Sequence, residues 1–188
     1  MNGKQHATIG TVGALGLTYV ASTTQGVGLS AVGLTTVLAG AVIGSWMPDI
    51  DSKKSKGAQL FNKIFMGAIV AYAGLNFLGD VTGSNVFDLI MQSTKDSVLG
   101  NIGLLLFIAT TVAGKLSPHR GFTHKWFGTL LFCGTAMMTF NNNFAFGFIV
   151  GFVLHLIADK TTKAGKHMNF LEFRLPCVDS KGKFNPVF

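Results

Sequence analysis

His6, His119, His124 and His155, together with Asp49, Asp51 and Asp159, are the residues of this chain whose types and spacing invite chemistry. Imidazole and carboxylate without a thiolate partner suit a borderline or hard divalent cation, with zinc first and manganese or iron also compatible. His155 and Asp159 stand four apart, which on a helix puts both side chains on one face about 6 Å apart along the axis. Asp49 and Asp51 flank Ile50 directly after Pro48. Two acids that close repel unless a cation lies beside them, and Pro48 biases Met47 away from helix, so a bend is expected there. The simpler alternatives are a histidine satisfied by a helix carbonyl and solvated acids at a helix end.

His119 and His124 would lie about 140° apart on an unbroken helix. Either the chain turns at Gly121 or the two histidines serve different metals. Arg120 between them has the planar fork that pairs with phosphate or carboxylate, against the plainer role of a positive-inside arginine. His6 gains weight only from the company of the others, and His167 in the basic tail is not expected to bind metal. Seven N and O ligands are too many for one tetrahedral zinc, so one or two divalent ions are expected.

Positioning such ligands falls to six long runs free of Lys, Arg, Asp and Glu, at 7–22, 28–47, 64–79, 98–114, 126–140 and 144–158. Charged residues make up 12% of the 188, the hydrophobic share is 48%, and there are 24 glycines; the mean hydropathy is +0.46. A soluble domain carries roughly twice that charge. At a helix centre in lipid each Asp, Lys or Arg costs roughly 2.5–3.5 kcal/mol, which accounts for their absence from the runs. The expected fold is therefore all-α, a polytopic membrane bundle of about six transmembrane helices. Several runs fall short of the roughly 20 residues a bilayer core needs, most of all 64–79 and 126–140.

The connecting loops supply a second test. All the Lys and Arg residues except Lys95 fall on one side of the alternation. The other side holds 23–27, the segment 80–97 with Asp80, Asp88 and Asp96, and Asn141-Asn142-Asn143. By the positive-inside rule both termini are expected in the cytoplasm. The net charge of +7 thus points to a membrane surface, and no direct nucleic-acid partner is expected. A cleavable leader ending near Ala21-Ser22 is not expected, because its loss would spoil the alternation. Cys133 within a run and Cys177 in the tail are not expected to pair. Gly40 with Gly44, and Gly147 with Gly151, are small residues four apart that permit close helix contact. The expected division is a bundle over 1–166, with the ligands at its cytoplasmic face, and a basic tail over 167–188 lying against anionic lipid headgroups.

Four blocks carry a resemblance: Gln5-His6, Pro48-Asp49-Ile50-Asp51 with Ser55 downstream, His119-Arg120-Gly121-Phe122-Thr123-His124, and His155 with Asp159, Thr162 and Gly165. Phe173-Arg174-Leu175-Pro176 adds a C-terminal Arg-Leu-Pro. In this order they resemble the YdjM-like, LexA-linked family of membrane-bound metal-dependent hydrolases, across almost the whole chain. The resemblance implies an inner-membrane location, a metal and a hydrolytic reaction. Lys125 stands where that family often has Ser, and Lys163 where it often has Pro, departures that bear on substrate more than on metal.

The resulting expectation is hydrolysis of an ester or phosphoester by metal-activated water, with Arg120 steadying charge on phosphate. A site at this depth suits membrane lipids and a lipid or lipid-linked substrate. Two rivals use the same ligands. A divalent-metal transporter would want them near the bilayer midplane, and a non-enzymatic protein with a structural metal would bind a cytosolic partner through its basic face.

Overall fold

In a computed structural model the protein is described over residues 3–26, 28–52, 58–59, 62–63, 98–162, 165–179 and 181–186. Five α-helices lie in this part: α1 Gly3–Gln25, α2 Ala31–Trp46, α3 Val98–Lys115, α4 Trp126–Thr139 and α5 Asn142–Lys160. Two short 3-10 turns, Pro48–Asp51 and Phe122–His124, follow α2 and precede α4. No strand occurs among the described residues, only an isolated bridge between Val178 and Phe184. Five of the six apolar runs thus coincide with helices. The run 64–79 and the segment 80–97 lie outside the described residues.

Two stretches, Ala31–Asp51 and Asn142–Lys160, are long and apolar enough to cross a membrane, and Ile102–Lys115 and Trp126–Thr139 are shorter apolar helices. Ser30 starts α2 by accepting from the Gly33 N–H, and Asn141 starts α5 by accepting from Phe144, each satisfying a donor that a first helical turn leaves free.

The tightest contact in the bundle is between α2 and α5, which run parallel. A Cβ at Gly40 or Gly44 would lie 2.3 and 2.1 Å from the carbonyl oxygens of Phe144 and Phe148. One at Gly147 or Gly151 would lie 1.9 and 2.1 Å from those of Val37 and Ala41. Both small-residue pairs therefore face each other, backbone against backbone, as interhelical packing without a hydrophobic drive requires. α1 runs antiparallel to this pair, with Gly10 seated over the buried Ser45. α3 and α4 complete the bundle around Phe122, Phe132, Phe148 and Phe152. The bundle leaves Val12 and Tyr19 of α1, Leu105 and Ile108 of α3, and Leu130 of α4 exposed.

Candidate metal centre

One end of the bundle gathers the start of α1, the ends of α2, α3 and α5, and the start of α4. Trp46 ties the first two together by donating its indole N–H to the Gly3 carbonyl at 2.9 Å, which brings His6 onto the end of α5. The His6 ring stacks on His155 with centroids 3.9 Å apart. Pro48 opens a 3-10 turn, while Met47 keeps helical dihedrals of −65° and −39°. The chain bends at Met47, and both carboxylates follow on the turn as expected, where proline at the first position gives up an N–H that would be unpaired anyway.

The chain between α3 and α4 turns, one of the two outcomes the His119/His124 spacing left open, but the left-handed residue is Arg120 rather than Gly121, with φ 57°. That conformation costs a side-chain-bearing residue roughly 1–2 kcal/mol. Asp51 holds it in place. One carboxylate oxygen accepts from His119 Nδ1 and the other from the Arg120 backbone N–H and the Thr123 hydroxyl, all at 2.9 Å. With its side chain fully buried, Asp51 thus fixes the turn that carries three of the other candidate residues.

Hydrogen-bond partners set both inner imidazoles. His155 Nδ1 donates to the Ser45 carbonyl at 2.7 Å, which leaves the lone pair on Nε2. Thr123 spends its hydroxyl proton on Asp51, so it accepts from His124 Nδ1 at 3.0 Å and leaves that lone pair on Nε2 as well. Partners of this kind orient metal-ligating histidines. Both Nε2 atoms are buried and neither has a hydrogen-bond partner.

Carboxylate oxygens surround them. Asp49 Oδ1 lies 3.7 Å from each Nε2, Asp159 Oδ2 lies 3.7 Å from that of His124, and Asp159 Oδ1 lies 3.4 Å from His6 Nε2. The 3.7 Å separations are too long for hydrogen bonds, and the 3.4 Å contact between His6 and Asp159 is a long one. They lie within or just beyond the spacing of neighbouring vertices in a coordination shell, since ligands at 2.0–2.2 Å from a tetrahedral zinc stand about 3.3–3.6 Å apart. Orphaned buried acceptors and ligand-like spacing together mean that the residues present fit a divalent metal.

All seven predicted ligands meet here, in three overlapping groups: His6, Asp49 and His155; His124, His155 and Asp159; and Asp49, Asp51 and His119. His119 and His124 fall in different groups, although their ring centroids stand only 6.0 Å apart. His167 is exposed and belongs to none of them. His124 is held well below the usual imidazole range by burial and by the neighbouring His155, which keeps it neutral as a ligand must be. His119, with its side chain 49% exposed, is shifted upward by its bond to Asp51. The Arg120 guanidinium, expected to face a substrate, binds Asp159 Oδ2 at 3.1 Å.

Thr123, Ser45 and the C-terminal strap were not legible as parts of this site. The tail, expected to lie on lipid headgroups, runs extended across the 116–126 turn. Lys125 is buried and donates to the Asn169 carbonyl at 2.7 Å and to Glu172 at 2.6 Å. Trp126 N–H reaches the Phe170 carbonyl, Phe173 packs on Trp126 and Phe127, and Cys177 N–H donates to Ser117 Oγ. The departure from the resembled pattern at Lys125 thus has a physical role, which is to clamp the strap to the turn.

A family model described as YdjM inner membrane protein matches residues 1–176. The chain belongs to that family. The match takes in all seven candidate ligands and the strap as far as Pro176, and family membership makes this an inner membrane protein. No curated protein and no solved structure matches the chain.

Proposed function

We propose that the protein is an integral inner-membrane, metal-dependent hydrolase that cleaves a phosphoester of a lipid or lipid-linked substrate at the cytoplasmic face. The observation that carries this is the pair of buried Nε2 lone pairs on His124 and His155, pinned by Thr123 and the Ser45 carbonyl among the carboxylates of Asp49 and Asp159. A divalent cation bound there, zinc first, supplies Lewis acidity that polarises a phosphoryl or ester oxygen and acidifies water. His6, Asp49, Asp159, His124 and His155 hold it, and Asp51 orients the turn. Arg120, 28% exposed, stands with His119 on the accessible side, where its fork binds the phosphoryl group.

Six membrane-crossing helices with both termini in the cytoplasm complete the proposal. The apolar side chains left exposed on α1, α3 and α4 support lipid contact for those helices. A transit site for ions would want ligands near the midplane, whereas all seven stand at one end of the bundle.

The test is a panel of phospholipid and lipid-linked phosphoesters offered to metal-replete protein in detergent, with a chelator control. His124→Ala and Asp159→Ala should lose bound metal and activity while His167→Ala retains both. Arg120→Lys should retain metal and lose about 10- to 100-fold in turnover, because lysine keeps the charge without the fork. Metal-replete protein that hydrolyses no panel member, or an Arg120→Lys variant as fast as wild type, overturns the proposal.

A further inference from the structure

Six buried side-chain nitrogen or oxygen atoms lack a hydrogen-bond partner among the described residues, and five of them lie at the end of the bundle that carries the metal centre. Besides His6 Nδ1, the other four divide by chemistry. His124 Nε2 and His155 Nε2 are acceptors that a cation would satisfy. Arg120 Nε and Arg174 Nε are protonated donors, which no cation can satisfy and which need an acceptor. A buried polar group left unpaired costs roughly 1–3 kcal/mol, so these two N–H groups call for an explanation, although each guanidinium also pairs with a carboxylate, Arg120 with Asp159 and Arg174 with Glu172.

Arg174 comes from the strap. Residues 169–176 alternate between exposed and half-buried, so Leu171 and Leu175 point outward, Phe173 lies at the edge against Trp126 and Phe127, and Glu172 and Arg174 point in. The Arg174 side chain is only 13% exposed. Its Cδ would stand 3.7 Å from a Cβ on Gly121, so its stem lies against the turn one residue from Arg120. Glu172 pairs with Arg174, but the same carboxylate also serves the buried Lys125. One carboxylate of the strap therefore faces two cations, next to the turn that bears His119 and Arg120.

We propose that Arg174 and Arg120 form a two-guanidinium cradle for a phosphate group at the edge of the metal centre. The inference rests on the hydrolase reading and deepens it by adding a second phosphate-binding residue, from the C-terminal strap. Two forks and a neighbouring cation suit a tetrahedral group with several charged oxygens better than a planar carboxylate, which one arginine can satisfy alone. The phosphate could belong to a lipid headgroup or be free in solution, and both present the same oxygens.

The experiment titrates zinc-loaded full-length protein in detergent with inorganic phosphate and, separately, with dioctanoyl phosphatidic acid, by calorimetry. Arg174→Lys should weaken both by about tenfold or more, and Arg174→Gln by more still, with bound zinc and Tm at wild-type values for the lysine variant. Lys181→Gln, which removes an exposed tail charge, should bind as wild type. Tighter binding of the lipid than of phosphate assigns the cradle to a headgroup, and equal binding assigns it to free phosphate. The proposal is overturned if Arg174→Lys binds within twofold of wild type, if Lys181→Gln weakens binding equally, or if the wild type shows no saturable binding. Because binding is read without turnover, a protein that binds phosphate in this pattern yet cleaves no ester loses only the hydrolase reading.

Discussion

Replacing Gly151 by alanine tests whether close helix packing builds the metal centre. The added Cβ would lie 2.1 Å from the Ala41 carbonyl oxygen, about 1.3 Å inside ordinary contact at 3.4 Å, and it meets backbone that no rotamer change can move. α5 must therefore shift from α2 by more than 1 Å near His155, one turn further along. The Ser45 carbonyl, now 2.7 Å from His155 Nδ1, would move out of hydrogen-bond range. Overpacking of this kind costs roughly 1–3 kcal/mol. Loss of the partner that orients a ligating histidine costs about 10- to 100-fold in metal affinity. Zinc competition against a chromophoric chelator and thermal melts in detergent measure both effects. Gly16→Ala is the control, since a Cβ there meets nothing within 4 Å, and it should leave affinity and Tm at or slightly above wild type. If Gly151→Ala matched wild type in both, the claim that helix separation governs the site would be wrong.

Thr123→Val removes the hydroxyl between Asp51 and His124 at nearly constant volume; zinc affinity should fall at least tenfold, and unchanged affinity would show that His124 needs no orienting partner. With native cysteines removed, a single cysteine at Asn142 should react with an impermeant reagent on intact cells and one at Lys181 should not; the reverse pattern refutes the orientation. Lys125, and after it Arg174, holds Glu172 below its ordinary value of 4.5. The stabilisation linked to Glu172 is therefore present above that value and lost as pH falls through the lower folded one. Glu172→Gln should accordingly flatten the acid limb of a Tm-against-pH profile, and an unaltered limb would remove the strap pairing from the account.

How much of this was legible in the sequence differs by residue. His155 and Asp159 could be placed on one face because helical periodicity is local, and the apolar runs marked five helices because exclusion of charge needs no knowledge of neighbours. The glycine pairs at 40/44 and 147/151 announced close contact without saying that they face each other. His6 was the hardest ligand to justify, since nothing near it in the chain suggests a metal; only the Trp46–Gly3 bond and the stack on His155 place it.

The sequence by itself determined the helices, the segregation of charge and the seven candidate ligands, because each follows from short-range spacing and from the cost of placing charge in an apolar environment. Tertiary structure alone decided which nitrogen of each inner histidine carries the lone pair, because the Ser45 carbonyl and the Thr123 hydroxyl reach those rings only after packing. It also decided that Asp51 organises the turn, that Arg120 takes the left-handed conformation, and that the tail lies across the site through Lys125 and Glu172. Those contacts join residues far apart in the chain, and no local propensity encodes a hydrogen bond whose two ends meet only when the bundle closes.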